Sequence, residues 1–152
     1  MRLQGGHISQ IGTWNDGLDQ AEVDDLGEVI LMPGLVNAHC HLDYTDFVGA
    51  IPSTASFTDW IRAMVDLKAD VDDAAHQKSW LHGAQQCLRH GMTTLGNIET
   101  RLDVLPSLWE QTPLRVVSFL EIILLKPESD PAEELGKLQA WMQANIPPRG
   151  CV

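Results

Sequence analysis

PGLVNAHCH, residues 33–41, is the stretch that decides the fold. Its Pro-Gly pair is typical of a turn, and the apolar residues after it predict a β-strand over 35–41. His39 and His41 are two apart on that strand, so their side chains project from the same face. Two imidazoles on one strand face can converge on a metal ion at metal–nitrogen distances of about 2.0–2.1 Å. The stretch therefore predicts a strand that ends in two candidate metal ligands, His39 and His41; a structural or merely exposed histidine pair is the alternative that spacing alone leaves open.

Outward from this stretch, the chain divides into three strand-then-helix units, the pattern of an α/β fold with a parallel sheet. The predicted strands cover 35–41, 92–98 and 114–125. Helices are predicted to begin near Ser56, at Asp72 or Asp73, near Leu102 and at Asp130, with Gly91 as a C-terminal cap. An eight-stranded (β/α) barrel typically needs about 250 residues, so three units would form an incomplete one.

The N-terminal residues have a different character. Residues 5–31 alternate short apolar pairs with turn signals, which predicts small β-structure with one strand in 7–11 and another at 29–31. Residues 13–27 are polar and acidic, which predicts a surface loop. Domain boundaries are therefore expected at 1–34 and 35–152.

Composition narrows the partners. The chain has 152 residues, of which 44% are hydrophobic, and a formal net charge of −11. Such an acidic balance argues against nucleic acid and anionic membranes, since both need a basic face. The three cysteines have no repeated spacing and read as free thiols. No apolar leader is visible at the N-terminus, so we expect a cytoplasmic protein with a small-molecule substrate.

Three segments together resemble one family. LMPGLVNAHCHLDYT (31–45) resembles the first barrel strand of the amidohydrolase superfamily, in the branch of adenosine-type, methylthioadenosine and aminofutalosine-type deaminases and triazine chlorohydrolases. GGHISQIG (5–12) resembles the strand that ends the family's N-terminal β-sandwich, and HGMTTLGNIE (90–99) resembles its second barrel strand. The resemblance implies a partial β-sandwich in 1–34 and the first three βα units of a TIM-type barrel in 35–152.

The resemblance also implies a chemistry. In the family, the two histidines of this motif bind one divalent metal, zinc or in some members iron, which activates water for attack on an electron-poor carbon. The expected reaction is hydrolytic deamination, or related C–N or C–Cl cleavage, of a small heterocyclic substrate. The remaining metal ligands and the acid/base groups belong to later strands, so the isolated chain is expected to be inactive and its catalytic residues stay unknown.

Three polar residues are candidates for substrate contact. Glu121 falls late in the third predicted strand, where a charge is costly unless paired. Asn97 ends the second predicted strand and could donate to substrate. Asp43 could contact substrate or orient a ligand histidine, and a solvated loop carboxylate is the alternative for it. Cys40 points away from the histidines, which favours a packed thiol over a thiolate ligand.

Two other functions stay open at this point. One is a non-catalytic half-barrel that binds or assembles with another chain, either a second copy or the missing C-terminal half. The other is a binuclear enzyme of the hydantoinase and dihydroorotase type. VNAHCH resembles the mononuclear branch more closely, and the strand that would decide lies after Val152.

Overall fold

The computed structural model describes residues 1–13, 23–124 and 129–146. Contacts divide the chain into two units, Met1–Met32 and Pro33–Val152, and each is described by itself. Most of the predicted loop 13–27 lies outside the described residues. Among the helices that are described, none has the length and hydropathy needed to cross a membrane.

The first unit contains an antiparallel hairpin of β1 (Arg2–Gln4) and β2 (His7–Gln10). Gly5 and Gly6 form its turn with φ angles of +57° and +77°, a region that glycine reaches without strain. The prediction of a strand at 29–31 was wrong. Those residues form no strand and their side chains are exposed, because within the described part of the unit β2 pairs with β1 instead.

The second unit is built on a parallel sheet in the order β3 (Leu35–Cys40), β4 (Met92–Glu99) and β5 (Arg115–Leu120). Its helices are α1 (Phe57–Ala69), α2 (Asp73–Arg89), α3 (Leu105–Glu110) and α4 (Pro131–Asn145). Short 3₁₀ segments cover Leu42–Phe47 and Leu102–Val104. The predicted α/β class is confirmed, and what the described residues form is an open three-stranded sheet.

The predicted helix starts near Ser56, at Asp72 and at Asp130 are confirmed by their caps, whereas the helix predicted near Leu102 begins as the 3₁₀ segment, with no side-chain cap among the described residues. A side-chain oxygen at each cap accepts a hydrogen bond from a backbone amide two or three residues later, which satisfies an otherwise unpaired donor of the first turn. The caps are Ser56 for α1, Asp72 for α2 and Asp130 for α4. Gly91 follows α2 with a φ of +79°, as its predicted capping role requires.

The third strand differs from its prediction. It was expected over 114–125 and buried on both faces, but β5 ends at Leu120, and residue 125 lies outside the described residues. Val116 and Ser118 are buried whereas Arg115 and Phe119 are exposed. This alternation arises because successive side chains of a strand point to opposite faces, and the described helices pack against only one face of β5.

The apolar stripe predicted for α4 is also less buried than expected. Leu135 and Met142 are exposed, and Leu138 and Trp141 are half-buried. Trp141 packs edge-on against Trp109 at a ring-centroid distance of 6.2 Å, so the helix touches the core mainly through that ring.

The core lies between α2, α3 and β4. Its largest fully buried apolar side chains are Trp80, Leu95, Leu105 and Leu108. Burial of such side chains stabilises a fold by roughly 1.5–3 kcal/mol each. The core therefore fixes β4 against α2, and β4 in turn holds the end of β3.

Gly96 allows the three strands to approach closely. A Cβ added there would lie 2.6 Å from the Ala38 carbonyl oxygen and 2.9 Å from Phe119 Cε2. We expect Gly96→Ala to lower the free energy of unfolding by about 1–3 kcal/mol, the usual cost of overpacking. Urea unfolding measures this. Gly136→Ala in α4 is the matched control. A Cβ there would meet no atom of the described residues within 4 Å, so this substitution should stabilise the protein by about 0.5–1 kcal/mol. Equal effects at both positions would contradict the packing account.

Candidate metal centre and its surroundings

His39 and His41 stand at the carboxyl end of β3, the first strand of the parallel sheet. His39 is exposed near the end of the strand, and His41 is the half-buried residue that follows it. Their ring centroids are 5.3 Å apart with the rings nearly perpendicular, at 79°. The two imidazoles therefore lie side by side, as the spacing predicts, and could supply two ligands to one ion.

The described residues supply only part of a metal site. Across 1–13, 23–124 and 129–146, no group of three or more His, Cys, Asp or Glu side chains is arranged to hold an ion. A zinc site in a protein generally has three or four protein ligands. The donor chemistry of two neighbouring imidazoles suits zinc or iron, and the pair can serve as half of such a site.

His41 is packed against an aromatic ring. Tyr44 stacks on it at a centroid distance of 4.7 Å with an interplanar angle of 8°. Burial lowers the pKa of His41, and the negative charge of Asp43 partly opposes this. The shift favours the neutral imidazole, the form that coordinates metals.

Asp43 is buried rather than solvated. Its carboxylate pairs with Lys68 at 3.3 Å between Oδ2 and Nζ, and its Oδ1 has no hydrogen-bond partner among the described residues. A solvated loop carboxylate, the alternative considered for Asp43, does not fit this burial. Its contact with substrate or with a ligand histidine stays a prediction.

Asn97 joins the end of β4 to the chain after β3. Its Oδ1 accepts hydrogen bonds from the Leu42 amide at 2.9 Å and from the Cys40 thiol at 3.3 Å. The Asn97 side chain is fully buried. It therefore fixes the backbone directly after His41, and a hydrogen bond from Asn97 to substrate stays a prediction.

Glu121 follows β5 and is exposed. Its amide donates to the Glu99 carbonyl at 2.9 Å, which continues the parallel pairing by one step. Glu121 follows the carboxyl end of β5 as His41 follows that of β3, so both residues lie at one end of the parallel sheet, where the charge of Glu121 acts to raise the pKa of His41. Its substrate role also stays a prediction.

The structure supports the prediction that Cys40 is a packed thiol and not a metal ligand. Burial raises the pKa of its thiol to about 12. A protonated thiol that donates to Asn97 is a poor metal ligand, since coordination requires the thiolate.

Sequence reasoning missed the buried carboxyl group of Glu99, at the end of β4. Its oxygens accept hydrogen bonds from the Trp80 indole at 3.2 and 3.3 Å and from the Ser118 hydroxyl at 3.2 Å. Burial raises the pKa of Glu99 to about 7, although the hydrogen bonds oppose the shift. A signal was present: Leu95, Asn97 and Glu99 are two apart on one strand, so a buried Leu95 implies a buried Glu99.

This burial has a consequence for stability against pH. Because the pKa of Glu99 is raised from 4.5 to about 7, the folded protein favours the protonated carboxyl group, and ionising it in the interior costs free energy. The contribution of Glu99 to the free energy of unfolding is therefore fully present below pH 4.5. It decreases by roughly 3 kcal/mol in total as the pH rises to 7. We expect Glu99→Gln to remove this fall and to be more stable than the parent above pH 7.

Urea unfolding from pH 4 to pH 8 measures the effect as the difference between parent and variant. Glu110→Gln is the matched control, because Glu110 is exposed at the end of α3. It should follow the parent at every pH. A constant difference between Glu99→Gln and the parent over this range would refute the raised pKa.

Comparison with known proteins now assigns the class. Residues 30–122 match the amidohydrolase family, which covers more than half of the chain, and the protein belongs to that family. The match contains the histidine pair, the Leu42–Phe47 segment and all three parallel strands.

Particular relatives are more distant. The chain is similar to a 5'-deoxyadenosine deaminase of Methanocaldococcus jannaschii, with 23% identity over 92% of this chain and 34% of the relative. It is also similar to a 5'-deoxyadenosine deaminase of Methanobrevibacter smithii, with 27% identity over 76% of this chain and 26% of the relative. The chain thus spans about a third or less of the curated relatives it matches.

Proposed function

We propose that this chain is the N-terminal part of a metal-dependent hydrolase that deaminates a small heterocyclic substrate. The observation that carries the proposal is the pair of neighbouring imidazoles, His39 and His41, at the carboxyl end of β3. In barrel and open α/β enzymes, active sites are built at that end of the strands. Membership of the amidohydrolase family supports hydrolysis, and the two deaminase relatives support loss of ammonia.

His39 and His41 would hold one divalent metal, for which we favour zinc over iron. When bound, the metal supplies Lewis-acid activation of water. The described residues contribute the positions of the two imidazoles, a neutral His41 and a buried Asp43 beside it. The other ligands and the acid/base groups are assigned to later strands of the complete protein.

Those later strands would also complete the fold. We propose that Pro33–Val152 forms the first βα units of a TIM-type barrel and that the first unit belongs to a small β-sandwich. Both outer strands of the described sheet, β3 and β5, have an unpaired edge and exposed apolar side chains such as Val36 and Phe119. An uncovered edge of this kind needs pairing or covering to avoid aggregation.

Ammonia release tests the proposal. The complete protein, supplied with Zn²⁺ or Fe²⁺, would be incubated with adenine nucleosides, including 5'-deoxyadenosine, and with hydantoin and dihydroorotate. Ammonia from the nucleosides alone is the expected result. Opening of the hydantoin or dihydroorotate ring releases no ammonia and is followed as loss of the cyclic amide; if it occurred alone, it would indicate the binuclear branch. No turnover of either class with metal bound would contradict the proposed deamination.

A further inference from the structure

Lys68 lies where three elements meet beside the histidine pair. It is near the end of α1, yet its ammonium reaches the chain after β3 and the chain after β4. Nζ lies 3.3 Å from Asp43 Oδ2, from the Tyr44 hydroxyl and from Thr100 Oγ1. One side chain thus ties α1 to the carboxyl ends of two neighbouring strands.

The contact with Tyr44 leads directly to a proposed metal ligand. Lys68 Nζ sits 4.7 Å from the centre of the Tyr44 ring, an attraction between a cation and a π face. The same ring stacks almost parallel on the His41 imidazole. The ammonium therefore holds the phenol by its ring and its hydroxyl while the phenol packs against the imidazole.

Asp43 explains why the ammonium stays in place. The Asp43 side chain is only 4% exposed and its Oδ1 has no hydrogen-bond partner in the described part of the chain, whereas the Lys68 side chain is 23% exposed. A buried carboxylate with one unpaired oxygen depends strongly on its single cationic partner. This dependence keeps Lys68 over Tyr44.

We propose that Lys68 is a positioning residue: through the Tyr44 ring it sets the orientation of the His41 imidazole before a metal binds. This role rests on the proposed metal site. Groups that orient a metal-binding histidine typically change metal affinity by about 10–100-fold when removed. We expect the lower end, about tenfold, because the orienting contact is a stack rather than a hydrogen bond.

The test compares Zn²⁺ affinity, measured by chelator competition, among variants of the complete protein. Lys68→Met keeps the apolar stem and removes the ammonium, and Tyr44→Leu removes the ring. Each should weaken binding about tenfold, and the double variant should bind no more weakly than the weaker single one. Lys68→Arg restores a cation and should recover most of the affinity. Lys137→Met is the control: Lys137 pairs with Glu133 and Glu134 on its own helix, α4, so this variant should bind Zn²⁺ as the parent does.

A second readout needs no metal. With ¹³C-labelled histidine, the ring protons of His41 in the metal-free protein report the shielding of the stacked Tyr44 ring. Lys68→Met should shift these resonances toward those of Tyr44→Leu, and Lys137→Met should leave them unchanged. If Lys68→Met lowered the melting temperature but left the His41 resonances unchanged, Lys68 would only stabilise the fold through its ion pair with Asp43. That result would overturn the inference.

His41→Ala distinguishes failure of the Lys68 positioning role from failure of the proposed metal site. If His41→Ala loses metal while Lys68→Met and Tyr44→Leu bind as the parent does, the positioning role is wrong and the proposed function stands. If His41→Ala also binds as the parent does, the proposed metal site fails and the role of Lys68 fails with it.

Discussion

Replacing either histidine of the pair, as His39→Ala or His41→Ala, should reduce kcat/KM of the complete protein by more than a hundredfold. Loss of groups that only orient a ligand already costs about 10–100-fold, so loss of a ligand itself should cost more. Each variant should also lose its tightly bound metal, as measured by elemental analysis after dialysis. Both effects follow from two adjacent imidazoles at the end of β3.

Matched controls are available on α2. His82 pairs with Asp46, and His90 Nδ1 donates to the Gln86 carbonyl; both histidines are exposed. His82→Ala and His90→Ala should keep metal content and activity near those of the parent. If all four substitutions lowered metal content equally, the assignment of ligands to His39 and His41 would be wrong.

Trp80→Ala should cause the largest loss of stability, about 3–5 kcal/mol. The side chain is fully buried in the core between α2 and β4, so truncation leaves a large cavity. It also removes the indole that donates to the buried carboxyl of Glu99. Urea unfolding near neutral pH, where part of Glu99 is ionised, measures the combined effect.

Two further variants set the scale of this loss. Trp80→Phe retains the six-membered ring and should lose less stability than Trp80→Ala, with the remaining loss due to the smaller ring and the missing indole N–H. Phe57→Ala is the exposed control, because Phe57 only stacks on Trp60 at the start of α1. It should cost about 1 kcal/mol or less. A Trp80→Ala loss as small as that of Phe57→Ala would contradict the central place of Trp80.

The sequence predicted well the features that depend on local chemistry. The starts of α1, α2 and α4 follow from a capping side chain at Ser56, Asp72 and Asp130, and each needs only the next few residues to form. The alternation of a strand likewise placed His39 and His41 side by side. Such features do not require knowledge of what packs against them.

What the sequence could not predict depends on neighbours far along the chain. The apolar run after Pro113 suggested a strand buried on both faces, but burial requires a partner on each face, and the described residues cover only one face of β5. Residues 29–31 are apolar enough for a strand but have no strand beside them in the described part of their unit. Pairing partners decide both outcomes.

The site shows the same division. Spacing alone identifies the histidine pair, whereas Lys68 approaches it from a helix end 24 residues after Tyr44, with no motif to mark it. Glu99 was overlooked because a charged residue at a strand end suggests solvent, although its strand face is otherwise buried. Only tertiary packing brings Lys68 next to Tyr44 and Glu99 next to Trp80.

Anomalous diffraction at the zinc edge, from crystals of the complete protein grown with Zn²⁺, tests the central claim most directly. We expect one strong peak at about 2.0–2.1 Å from a ring nitrogen of each member of the pair, His39 and His41. A fully occupied zinc peak elsewhere, with both imidazoles unbound, would contradict it.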